Sequence, residues 1–79
     1  MDGETTRTMR ILSKQGDTQV AWRPAYKVEV DLATKEFDKL SGLGYATFSV
    51  EAPGAKPTQI RKFDPNAYEI LAIPAIRGG

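Results

Sequence analysis

Eleven Lys or Arg against ten Asp or Glu give this 79-residue chain a net charge of +1, so no global attraction draws it to nucleic acid or an anionic membrane. It has no cysteine and no histidine. That removes disulfides, thiolate metal sites, the commonest general base and the commonest zinc ligand.

A chain of this length makes one small domain, which buries only about 60–65 % of its unfolded surface. Residues 1–7, MDGETTR, show no hydrophobic period and read as a flexible arm. They lack the apolar core of a signal peptide, and no apolar run approaches the length of a membrane helix. The expectation is a soluble, cytoplasmic protein with its domain over residues 8–74 and a flexible tail over 75–79.

In RTMRILSK, Met9 and Ile11 fall on one face. In QGDTQVAWR, Val20 and Trp22 do the same. Gly16-Asp17 suits a two-residue type II′ turn, because glycine tolerates the positive φ of the first position. The first third therefore reads as a β-hairpin ended by Pro24.

The period then changes. Val30, Ala33, Phe37 and Leu40 are spaced as one stripe of a helix. Its start lies between Ala25 and Asp31, and Gly42 or Gly44 is its left-handed stop. Asp31 with Lys35, and Glu36 with Lys39, are pairs at helical contact distance.

YATFSVE alternates again, with Ala46, Phe48 and Val50 expected on the core face. APGAKP is a turn segment, and TQIRKF is a short polar edge strand around Ile60. DPNA places Pro65 second in a turn whose aspartate bonds back to the backbone. YEILAI, residues 68–73, is apolar without alternation and fits the sheet centre, parallel to residues 8–13.

The order ββαβββ makes an α+β roll, a mixed sheet with one helix packed on one face. The helix stripe is expected to cover Met9, Ile11, Val20, Trp22, Phe48 and Val50. Trp22 reads as core and not as a binding surface with Tyr26. Arg10, Arg23, Arg61 and Lys62 read as solubilising edge residues. Asp31, Glu36 and Asp38 fall on exposed helix faces beside lysines, a poor setting for acid–base carboxylates.

This element order over residues 8–74, with the terminal IRGG of Ile76 to Gly79, resembles the ubiquitin-like β-grasp group of protein modifiers and sulfur carriers. The resemblance implies activation at the Gly79 carboxylate by an E1-like adenylating enzyme, then transfer to sulfide, a thiol or an acceptor protein. Gly78 and Gly79 would enter a narrow channel where a Cβ collides. Ile76 and Arg77 would dock outside it, Arg77 against an acidic rim. On this reading the chain has no catalytic residue, metal or cofactor of its own, and is a monomer when free. The alternative is a small non-enzymatic structural or interaction protein, an accessory subunit or virion component, that docks by its sheet edge or tail.

Overall fold

Alternating apolar side chains and a matching turn length set the first two strands. In the computed structural model, which describes residues 5–13 and 16–74, β1 (Arg7–Ser13) pairs antiparallel with β2 (Gly16–Trp22). The register runs unbroken from Arg7 opposite Trp22 to Ser13 opposite Gly16. Gly16 and Asp17, expected to form the turn, are therefore paired residues of the strand itself. Gly16 is a strand residue at φ 120°, and its carbonyl accepts a 2.8 Å hydrogen bond from the Ser13 hydroxyl. A glycine signals tolerance of positive φ without fixing which residues form the loop.

Pro24 then takes the second position of a turn closed by the Tyr26 N–H donating to the Arg23 carbonyl at 2.9 Å. This delivers the chain into α1 (Lys27–Gly42). Ala33, Phe37 and Leu40 of the predicted stripe are buried, and Val30 packs against the same cluster. Past the helix, the Tyr45 N–H bonds the Leu40 carbonyl and the Gly44 N–H bonds the Ser41 carbonyl, both at 3.0 Å. This paired closure is a Schellman motif, and it needs Gly44 at φ 95°. Gly42 is the last helical residue. On the exposed face, Lys27 pairs with Asp31 at 3.3 Å.

β3 (Ala46–Val50), β4 (Thr58–Gln59) and β5 (Glu69–Ile73) complete a sheet ordered β2-β1-β5-β3-β4. β5 lies between β1, to which it is parallel, and β3, to which it is antiparallel. Tyr68 precedes this strand. The polar TQIRKF segment contributes only its first two residues to β4, and Ile60 lies just beyond it. The turn in DPNA forms as the sequence predicts, with the Asn66 N–H on Asp64 Oδ1 at 3.0 Å.

One sheet face carries the core. Met9, Ile11, Trp22, Ile70 and Ala72 meet Ala33, Phe37 and Leu40 there. The expected facing of β3 is reversed. Ser49 is opposite Ile70 and Thr47 opposite Ala72, so Thr47 and Ser49 share the helix side and are buried. Ala46 and Phe48 take the outer side, half-buried, whereas Val50 at the end of the strand is buried as expected. Thr47 tolerates burial because its hydroxyl donates to the Ile60 carbonyl at 2.7 Å while its own carbonyl accepts from the Ile60 N–H at 2.9 Å.

Candidate functional surfaces

The residues that the sequence singles out for chemistry, Ile76, Arg77, Gly78 and Gly79, lie outside the described residues. What the structure does describe is the platform they follow. β5 ends at Ile73, beside the start of β3 at Ala46. Because β5 is parallel to β1, the chain leaves the sheet at the end where β1 turns into β2.

The sheet face opposite the helix is partly apolar. Arg10, Leu71 and Phe48 form one row across β1, β5 and β3. Leu12, Ile73 and Ala46 lie on the same face and, like Phe48 and Leu71, are half-buried. Charge borders this patch. The Arg10 guanidinium lies 3.0 Å from Asp17 and 3.9 Å from Glu69, at exposures where such pairs contribute about 0–1 kcal/mol.

The other polar cluster joins the end of β2 to the first turn of α1. Glu29 accepts from the Arg23 backbone N–H at 2.9 Å and from Arg23 Nε at 2.9 and 3.2 Å, and it also contacts Nη2. The guanidinium carbon lies 3.8 Å above the centre of the Tyr26 ring. The hydrogen bonds from Arg23 hold the Glu29 carboxyl below its ordinary pKa of 4.5, against a smaller upward push from burial. This cluster serves the helix start, whose N-cap Tyr26 supplies no side-chain cap.

The basic residues considered as a stripe are therefore separated. Arg10 is engaged on the outer sheet face and Arg23 is committed to Glu29, whereas Arg61 and Lys62 are exposed in the loop after β4. Tyr26 is partly exposed beneath Arg23, and Trp22 is fully buried. Trp22 Nε1 donates to the Pro65 carbonyl at 3.0 Å. Its ring meets Phe63 edge-on at 4.8 Å, and Phe63 meets Phe37 at 5.7 Å.

Ala67, a core residue, and Phe63, half-buried against the core, are not announced by the sequence pattern. Their only signal is an apolar residue on each side of the DPN turn. Among the described residues no cluster of Asp and Glu could hold a metal ion, and no helix is long and apolar enough to cross a membrane. Comparison with known proteins finds no matching family model, no matching curated protein and no matching solved structure.

Proposed function

We propose that the chain is a ubiquitin-like modifier or sulfur carrier, a β-grasp domain activated at the Gly79 carboxylate by an E1-like adenylating enzyme. The observation that carries this reading is the position of β5. The last strand lies beside β1 at the middle of the sheet, in the order β2-β1-β5-β3-β4, and Ile76-Arg77-Gly78-Gly79 follows it directly after Pro74 and Ala75. A central strand is thus followed in sequence by a short segment whose last two residues carry no Cβ.

In the activation step, an oxygen of the Gly79 carboxylate attacks the α-phosphate of ATP and pyrophosphate leaves. Sulfide, a thiol or an amine next attacks the acyl carbon and AMP leaves. Adenylation requires Gly79 to carry a free carboxylate. Gly78 and Gly79 supply thin backbone for the channel, Ile76 and Arg77 supply docking contacts outside it, and the catalytic groups belong to the enzyme. The acceptor is sulfur or another protein, according to the enzyme that follows.

Isotope exchange between pyrophosphate and ATP tests this reading, with the chain offered to the E1-like enzymes of its own genome. The full chain should support exchange. The chain lacking Gly78 and Gly79 should not, and its melting temperature should stay nearly unchanged, because the core cluster is assembled from residues between Met9 and Ala72. Absence of exchange with every such enzyme would turn the reading to a small interaction protein.

A further inference from the structure

β2 forms one border of the sheet, and it is long. Its seven residues pair with β1 without a bulge. Ser13 stands opposite Gly16 with two residues between them in the chain, the spacing at which such a pair exchanges both backbone hydrogen bonds. Alternation from that pair directs the N–H and C=O groups of Thr18 and Val20 toward β1, and those of Asp17, Gln19 and Ala21 outward. These three residues are exposed, and among the described residues no hydrogen bond meets their outward backbone groups.

Borders of this kind invite pairing, and proteins blunt them with short strands, proline, lysine or bulges. The opposite border is blunted in this way, since β4 has two residues and follows Lys56-Pro57. β2 has none of these devices. Its single charge, Asp17, is drawn 3.0 Å from Arg10 on its own sheet.

We propose that β2 pairs antiparallel with β2 of a second copy, across a two-fold axis at Gln19, joining the two sheets into one. The strand is its own complement in this register. Gln19 faces Gln19 of the second copy, Thr18 faces Val20, and Asp17 faces Ala21, so all seven residues are used. The two Asp17 carboxylates lie at opposite ends of the seam, whereas a register with Asp17 opposite Asp17 would set like charges together. The contact is isologous and closed. It uses the long border of each copy and leaves only the short β4 borders outside, so growth stops at two. The free monomer expected from sequence becomes the dilute form of a weak dimer. None of this depends on whether Gly79 is activated.

Sedimentation of the full chain from about 1 μM to about 1 mM, together with amide exchange, tests the pairing. The expected result is concentration-dependent dimerisation, with protection growing at Asp17, Gln19 and Ala21. Thr18 and Val20 should be protected at every concentration by β1. Gln19→Lys sets two ammonium groups opposite each other, and should raise the dimer Kd about fivefold or more, with partial recovery in salt. Retained protection at Thr18 and Val20 in that variant reports an intact hairpin. A monomer throughout, a dimer indifferent to Gln19→Lys, or protection that appears only when a different protein is added would each overturn the proposal.

Discussion

Trp22 ties the far end of β2 to a turn 43 residues later in the chain, through its indole N–H and the Pro65 carbonyl. Its burial was legible, since an apolar alternation ending on tryptophan marks a core face. Its partner Phe63 was not legible, because a lone aromatic between lysine and aspartate has no period to place it. Glu29 is a second case. In sequence it is one carboxylate among several near the start of a helix, and only folding brings Arg23 around the Pro24 turn to meet it. Because those hydrogen bonds lower the pKa of Glu29 in the folded state, its contribution is present above the unfolded value of 4.5 and is lost as pH falls through the folded value. Denaturation of the native chain and Glu29→Gln should therefore differ at pH 7, with the native chain the more stable. The two curves should converge in the acid range below pH 4.5, and a difference constant with pH would deny the ion pair its role.

At the scale of elements, the helix shows how two neighbouring glycines carry opposite meanings. Gly42 is helical and Gly44 takes φ 95°, and a Cβ on either would meet no atom within 4 Å. The consequences of substitution are therefore conformational and not steric. Gly42→Ala should stabilise the domain by about 0.5–1 kcal/mol, the gain of alanine over glycine in a helix. Gly44→Ala should cost about 1–2 kcal/mol, because a residue with a Cβ is forced into left-handed backbone. Urea titration of the two variants checks both signs. The sequence narrowed the helix stop to these two residues, and the hydrogen bonds of Tyr45 and Gly44 decide between them. β3 teaches the complementary lesson. Its alternation was plain, but a period of two does not say which face is inside. Apolarity pointed to Ala46, Phe48 and Val50. The inner positions went to Thr47 and Ser49, opposite Ala72 and Ile70, where the Thr47 hydroxyl finds the Ile60 carbonyl.

For the whole molecule, the unbroken apolar run Ile70-Leu71-Ala72-Ile73 was the most informative stretch. It identified a strand with neighbours on both sides, and β5 has them in β1 and β3. Central pairing of this kind opens only with the whole fold. The amides of Leu71 and Ala72 should therefore exchange among the slowest in the chain, at a rate that tracks global stability. Fast exchange there would mean that β5 detaches by itself. The proposed function has a narrower basis in the sequence than the fold has, because the residues that suggest it, Gly78 and Gly79, leave no mark on the core pattern.

The pairing of β1 with β5 also bears on how the chain is made. Thr8 lies beside Glu69 and Ile11 beside Ala72, so the middle of the sheet joins the first of its five strands to the fifth. The hairpin and α1 can form as they emerge from the ribosome, yet β1 and β3 have no common partner until Glu69–Ile73 appears. Closing so long a loop before any reward from packing slows folding relative to a helical bundle of equal size. A nascent chain short of Ile73 holds apolar strands with open borders, the condition in which chaperones find their clients. The domain thus gains its cooperative structure only once β5 has joined β1 to β3.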